Sequence, residues 1–417
     1  MDLSRAAAAA LDDADPLACF RVRVAGVDDG LLDLDGNSLG RLPVDTPAAV
    51  ARVVEQEWGR GLVGSWSSWV EQSRRIGDVL ASGVLGARPG EVLVGDSTSV
   101  DLYKLLVAAA DARPGRDVLV CCADDFPTDR YIVAGVAASR GMTVREVDAH
   151  IDSGLDLEVL AAALDERVAV VVLSQVAYRS GALVDIAEVT RLAADAGALV
   201  VWDLSHGAGA VPAELHAAGA DLAVGCTYKY LNGGPGAPAF LYVRRELQEQ
   251  LRQPIWGWFG ARDQFAMGPA YDPADGVDRF AVGTPPVLAM AAVEVGARLT
   301  AEAGIERLAA KGQALTELAI ALADEWLAGH GVTVASPRTA ARRGSHVSLA
   351  HPQAWQLTQA LIDRGVVPDF RTPDRLRLGP APLYTRFVDV WDAMDRLRSV
   401  LAEGAHEGHP TERSRVT

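Results

Sequence analysis

The sequence predicts an α/β protein with a mostly parallel, seven-stranded sheet in a large domain, followed by a smaller α+β domain. Three observations carry that expectation. Between about residues 90 and 245 short β-rich runs alternate with helical patterns, the runs are apolar on both faces, and after Pro285-Pro286 the alternation gives way to a long helical stretch with short strands behind it. Strands buried on both faces need a helical layer on each side, and strand–helix–strand alternation gives parallel neighbours.

Taken in order, the segment 1–50 is expected to pack beside the smaller domain. The large domain, 51–286, contains the runs Val92-Leu-Val94, Asp117 to Cys121, Thr143 to Val147, Val168 to Leu173, Ala198 to Asp203, Leu222 to Gly225 and Ala239 to Val243. Each has strand length and is separated from the next by helical periodicity. The smaller domain, 287–405, starts with a helical stretch from Val287 to about Leu327. It continues with strands at Val332 to Ala335, Ser345 to Leu349 and Arg375 to Leu378, and a helix near Trp355 to Arg364. Residues 406–417 are polar without periodicity and are expected to form a frayed tail.

The chain has 417 residues with 49% hydrophobic content, enough for a substantial core. Its 39 basic residues against 55 acidic ones give a net charge of -16. Nucleic acid and anionic membranes would be repelled by such a surface, so neither is expected as a partner. Cys19, Cys121, Cys122 and Cys226 fit neither a disulfide framework nor a metal-ligand spacing. The N-terminus lacks a basic segment leading into an apolar core, so no signal peptide is expected, and runs such as Val168 to Leu173 are too short to cross a bilayer. A soluble, cytoplasmic protein follows as the expectation.

Only three lysines occur, Lys104, Lys229 and Lys311. Lys104 and Lys311 lie in helical runs and read as solvated or snorkelling residues. Lys229 differs, because it stands in Cys226-Thr-Tyr-Lys-Tyr-Leu-Asn-Gly-Gly-Pro-Gly236, one strand after the acidic strand end Val200-Val-Trp-Asp203. Such a pair is what pyridoxal phosphate chemistry needs. A lysine amine forms a Schiff base with the cofactor aldehyde, and a carboxylate keeps the pyridine nitrogen protonated so that the ring accepts electrons.

Other motifs agree with this reading. Gly95-Asp-Ser-Thr98-Ser99 lies between a strand and a helix, where free N–H groups and hydroxyls suit a phosphate, although Ser and Thr also cap ordinary helices. Asp124-Asp-Phe126-Pro-Thr-Asp129 follows a strand at the carboxyl edge of the sheet, where open α/β folds bind ligands. Phe126 could stack on the pyridine and Asp129 add charge near its nitrogen; alternatively Pro127 opens a helix with Asp125 as its cap. Arg377, just before a Gly-Pro break, has the planar guanidinium that clamps an amino acid carboxylate, or is a surface arginine. His206 either touches the cofactor or fills the turn after its strand.

Together these residues resemble kynureninase, a fold type I pyridoxal phosphate enzyme of the aminotransferase class V kind. The resemblance runs from about Asp33 to Tyr384. It is carried by Leu34-Asp-Gly-Asn-Ser-Leu-Gly40, Phe126-Pro-Thr-Asp129, Asp203-Leu-Ser-His206, Thr227-Tyr-Lys-Tyr-Leu-Asn232, Gly257-Trp-Phe-Gly260, Gly283-Thr-Pro-Pro286, and Arg377 with Pro380-Ala-Pro-Leu-Tyr384. The segment Trp58 to Trp69 resembles the bacterial type.

The resemblance implies that Lys229 bonds the cofactor and Asp203 pairs with its pyridinium. It assigns Thr98, Ser99 and Tyr228 to the phosphate end and Phe126 to the ring face, with Asp129, Ser174 and His206 as further cofactor contacts. Trp258 and Thr284 would reach the cofactor of a neighbouring subunit, which implies a homodimer. Arg377 would hold the substrate carboxylate, and Asn37 and Ser38 would line the aryl pocket. The implied reaction is hydrolysis of L-kynurenine or 3-hydroxykynurenine to anthranilate or 3-hydroxyanthranilate and L-alanine, with Lys229 moving the Cα proton and Tyr228 counted with Lys229 and Asp203 among the catalytic groups. An aminotransferase would use the same aspartate, lysine and arginine. A cysteine desulfurase needs a nucleophilic cysteine in the C-terminal third, and none follows Cys226. A binding or regulatory protein that keeps the fold would have no use for the full lysine, aspartate and phosphate set.

Overall fold

The computed structural model describes residues 2–413. Its strands, numbered along the chain, are β1 (Leu32–Asp33), β2 (Val92–Gly95), β3 (Val118–Cys122), β4 (Thr143–Val147), β5 (Ala149–His150), β6 (Gly154–Leu155), β7 (Val168–Ser174), β8 (Leu199–Asp203), β9 (Leu222–Gly225), β10 (Ala239–Val243), β11 (Thr333–Val334), β12 (Val347–Ala350), β13 (Val366–Val367), β14 (Asp369–Arg371) and β15 (Arg375–Leu378). A seven-stranded sheet has the order β2-β10-β9-β8-β7-β3-β4. β10 runs antiparallel to β2 and β9, and the remaining pairs are parallel. These are the seven apolar runs of the sequence. Central strands such as β7 and β8 are buried almost throughout, whereas the edge strand β4 exposes Thr143 and Glu146.

Helices cover both faces. On one, Leu102 and Leu105 from the helix Thr98–Asp111 and Val133 from the helix Pro127–Arg140 pack with Leu119, Val170 and Val201. On the other, Val171, Trp202 and Phe240 meet Met290, Val293 and Ala297 from the helix Val287–Ala303. The long helical stretch expected from Val287 is in fact two helices. Gly304, at φ +82, separates Val287–Ala303 from Ile305–Trp326. The first belongs to the large core, and the second supplies Leu315, Leu318 and Leu322 to a separate core with Leu349, Trp355, Leu376 and Leu397. The change of packing partner thus falls at Gly304, not at residue 287.

The smaller unit has an antiparallel sheet, β11-β12-β15-β14. Ala8, Leu32 and Leu34 join its core, and β1 pairs in parallel with β13. The expected tail begins too early: Ala405–Gly408 form a 3-10 turn in which His406 is buried, with its Nε2 3.2 Å from Gln353 Oε1. Residues 414–417 of that tail lie outside the described residues. Among the described residues, no helix is long and apolar enough to cross a membrane.

Candidate active site

Parallel strands bring their carboxyl ends to one edge, and the loops that follow β3, β8 and β9 meet there. With the N-terminus of the helix Thr98–Asp111, the loop 35–40 and β14–β15, they enclose a cavity of about 290 Å³. Its wall includes Asn37, Ser38, Thr98, Ser99, Phe126, Asp129, Asp203, His206, Tyr228, Lys229 and Arg377.

Asp203 ends β8, and its Oδ1 accepts from Ser205 N at 2.8 Å. Asp129, in the first turn of the helix Pro127–Arg140, is buried beside it. Burial, then the charges of Asp203 and Asp125, push the Asp129 carboxyl well above its ordinary range, which favours a shared proton in its hydrogen bond with Asp203. Asp129 Oδ2 has no hydrogen-bond partner among the described residues.

Lys229 follows β9 on a turn fixed from several directions. Thr227 Oγ1 donates to Pro238 O at 2.6 Å, Asn232 N to Lys229 O at 2.9 Å, and Gly40 N to Tyr228 O at 2.9 Å. Lys229 Nζ lies 3.2 Å from His206 Nε2. Burial and the Lys229 charge push the His206 imidazole well below its usual value, so Nε2 accepts from the lysine. Behind it, the fully buried His346 ring sits 5.6 Å from that of His206.

At the phosphate-type end, Ser97 caps the helix, with its Oγ accepting from Val100 N at 3.4 Å, and Thr98 and Ser99 occupy the first turn. Tyr228 is held protonated by burial. Phe126 meets Tyr178 edge to face at 5.4 Å, and Arg179 covers the Tyr178 ring at 4.9 Å.

Several expectations change. Asp125 does not cap the helix: its oxygens accept from Cys122 N at 3.2 Å and Ser174 N at 3.3 Å, joining two strand ends. Ser174 is engaged by that bond and is not part of the cavity wall. Trp258 and Thr284, expected to serve a neighbouring subunit and not their own, lie outside it too. Trp258 packs against Phe259 at 4.6 Å, and Thr284 lines an apolar groove of about 470 Å³ with Trp58, Trp66, Trp69 and Leu288.

Asn37 and Ser38, expected at an aryl pocket, line the cavity and also grip Arg377. The Asn37 amide, oriented by its neighbours, accepts from Arg377 Nε at 2.8 Å and donates to Asp35 Oδ1 at 3.3 Å, while Ser38 Oγ accepts from Arg377 Nη2 at 3.1 Å. Arg377 is no surface residue. It is 0% exposed and also pairs with Asp369 and with the Tyr178 carbonyl.

The other lysines are buried, not solvated. Lys104, 1% exposed, bonds Asp96 Oδ2 at 2.7 Å, Asp101 Oδ1 at 2.8 Å and Phe280 O at 3.0 Å. Lys311 bonds Asp15 Oδ2 at 2.6 Å. Each has carboxylate partners that leave it no reason to reach a ligand.

Sequence reasoning missed Tyr178 and Arg371, both in the wall. Tyr178 was findable, since it follows β7 at the same carboxyl edge as Phe126. Arg371 ends a three-residue strand that carries no periodic signal.

Comparison with known proteins agrees with this geometry. Residues 308–397, which include Arg371 and Arg377, match the kynureninase C-terminal domain. A kynureninase from Pseudomonas fluorescens is 46% identical over 400 residues, covering 94% of each chain. One from Burkholderia pseudomallei (strain 1106a) is 45% identical over 406 residues, covering 95% of each. Among solved structures, a cysteine desulfurase from Thermococcus onnurineus NA1 superposes with a TM-score of 0.80 at 18% identity, covering 93% of this chain and 98% of that one. A C-DES mutant with glycine covalently linked to its PLP cofactor gives 0.80 at 17% identity, covering 92% and 99%. The fold is therefore that of the fold type I pyridoxal phosphate enzymes.

Proposed function

The chain belongs to the kynureninase family, and from that premise we propose how its own residues divide the work. The protein is a pyridoxal phosphate-dependent hydrolase that cleaves the Cβ–Cγ bond of L-kynurenine, 3-hydroxykynurenine or both, leaving the anthranilate product and L-alanine.

The residues fit the cofactor. A hydroxyl-rich helix N-terminus suits its phosphate, the Asp203 carboxylate suits its pyridine nitrogen, and a buried Asp129 oxygen without a protein partner lies in the same wall as Lys229. When bound, pyridoxal phosphate supplies an aldehyde for the substrate amine and a ring that draws electrons from Cα.

Thr98, Ser99 and Tyr228 hold the phosphate end and Phe126 covers the ring. Asp203 would keep the pyridine nitrogen protonated, and Asp129, its carboxyl pushed up by burial, would steady the Asp203 carboxylate through their hydrogen bond. Neutral His206 accepts from Lys229 Nζ and holds the amine at the cavity wall. Once displaced by the substrate amine, Nζ moves the Cα proton. Water then adds its oxygen to Cγ, the Cβ–Cγ bond breaks, anthranilate leaves with the new carboxyl oxygen, and the three-carbon remainder gains a proton at Cβ and regains the one taken from Cα, which leaves alanine. Arg377, oriented by Asn37 and Ser38, faces the substrate carboxylate.

The carrying observation is the approach of Lys229 Nζ to a neutral histidine in a cavity that also holds the Asp203–Asp129 pair. A second copy of the chain belongs to the proposal. Trp258 and Thr284 lie outside their own cavity, Thr284 in the wall of a groove whose Trp58 is 58% exposed, and burying that aromatic face against a partner supports a homodimer with shared sites. Free Cys19, Cys121, Cys122 and Cys226 suit a reducing cytoplasm.

The test is to incubate purified protein with L-kynurenine and with 3-hydroxykynurenine and follow product fluorescence. Turnover of at least one is expected; turnover of neither would sink the assignment.

A further inference from the structure

We propose that Arg371 is a second substrate-carboxylate residue, acting with Arg377 at the small-unit side of the cavity; this rests on the reading above, in which the substrate is an α-amino acid. Arg377 alone is poorly placed to clamp a carboxylate. A guanidinium has five N–H groups, and those of Arg377 already serve Asn37 from Nε, Tyr178 O from Nη1, and Ser38 and Asp369 from Nη2. One N–H on Nη1 is left over. Its charge is matched by Asp369, with which it shares a fully buried ion pair.

Arg371 differs on each count. It lies at the end of β14 in the same cavity wall and is only partly buried. Its Nη1 donates to Asp369 Oδ1 at 2.9 Å and to Phe370 O at 3.0 Å, while its Nε is shielded from solvent without a partner among the described residues. Two guanidiniums therefore share the Asp369 carboxylate. Asp35, next to them, is pushed up to about 7, chiefly by burial and then by the charge of Asp369, so it adds only a partial negative charge at neutral pH. The corner keeps a net positive charge because Arg371 is there. Remove it, and an incoming carboxylate faces an ion pair that is already closed.

With two guanidiniums on the one Asp369 carboxylate, Arg371 gives the corner its excess positive charge and adds free N–H groups to the single one left on Arg377. A carboxylate seated between the two arginines would accept from Arg371 and from the remaining Arg377 Nη1–H without displacing Ser38 or Asn37.

The variants Arg371→Gln and Arg371→Lys separate charge from geometry. Steady-state kinetics with L-kynurenine, inhibition by its decarboxylated analogue kynurenamine, and calorimetric binding of L-alanine are compared with the parent enzyme. For Arg371→Gln, KM should rise and alanine affinity fall by about 10- to 100-fold, the loss expected of a charge-assisted contact, with a smaller change in kcat. Kynurenamine inhibition should stay within about twofold, since it has no carboxylate. Arg371→Lys should recover part of the loss. Unchanged KM and alanine affinity overturn the assignment, as does an equal loss of kynurenamine binding, which would mean general damage to the cavity. Absence of turnover by the parent enzyme would overturn the reaction, while alanine affinity would still decide the role of Arg371.

Discussion

Gly40 packs directly against the turn that carries Lys229, and adding one methyl group there should separate activity from folding. A Cβ at Gly40 would lie 2.3 Å from the Lys229 carbonyl oxygen, 2.7 Å from Asn232 Nδ2 and 2.9 Å from Asn232 Cγ. Neither neighbour yields easily. The carbonyl is backbone, and Asn232, at φ +55, is tied by its Nδ2 to Arg41 O at 2.7 Å. Ordinary contact begins at 3.4 Å, so the lysine backbone must retreat by about 1 Å. A displacement of that size in a catalytic group costs about 100-fold in rate, roughly 2.7 kcal/mol of barrier. The associated overpacking costs about 1–3 kcal/mol of stability, which a chain of this size should survive. Gly40→Ala is therefore expected to be folded, with kcat lowered about 100-fold. Anthranilate fluorescence gives kcat and a thermal melt checks folding. Gly135→Ala, at an exposed helical position with nothing within 4 Å, is the control and should keep full activity. A Gly40→Ala enzyme with kcat within about threefold of the parent would refute the idea that the loop 34–40 positions Lys229 by backbone contact.

Borohydride reduction of the holoenzyme followed by peptide mapping should label Lys229; a label on Lys104 or Lys311 would contradict their observed ion pairs. Asp203→Ala should weaken cofactor binding and nearly abolish turnover, measured by cofactor absorbance after dialysis and by product formation; an active variant would mean that the pyridine nitrogen has another partner. Lys104→Met leaves Asp101 buried without its cation and should cost about 3–5 kcal/mol in a denaturant titration, with part of that loss recovered in the double variant Lys104→Met/Asp101→Leu. Asp35 loses its proton as pH rises through about 7, adding negative charge where the substrate carboxylate binds, so KM for L-kynurenine should climb above that pH. Asp35→Asn should flatten the profile, and an unaltered profile would remove Asp35 from the carboxylate site.

The large sheet was legible because its strands are buried on both faces, which leaves an unbroken apolar run wherever a strand passes. Lys229, Asp203 and Asp129 were legible because cofactor chemistry demands a lysine and a carboxylate at the carboxyl edge of such a sheet. What stayed hidden depends on partners distant in sequence. Asp369-Phe370-Arg371 was not read as a strand, yet Arg377, eight residues on, pairs with Asp369 and permits a largely buried one. Lys104 and Lys311 sit at helical positions that normally face water; Phe280 and Asp96 draw in the first, and Asp15, some three hundred residues earlier, draws in the second. Asn37 and Ser38 were found as site residues, but their bonds to Arg377 were not, because the chain gives no sign that loop 35–40 lies against β15.

The break at Gly304 assigns the two long helices to two different cores. Lys229, Asp203 and the phosphate-type helix end lie before it, whereas Arg371 and Arg377 lie after it on a sheet with its own core. In the proposed reading electron withdrawal belongs to one body and the two arginines to another, with Gly304 joining the long helices of each, while Asn37 and Ser38 from the N-terminal segment complete the grip on Arg377. Substitutions confined to Arg371, Arg377, Asn37 and Ser38 can therefore change which acid is held while the groups around Lys229 and Asp203 stay as they are.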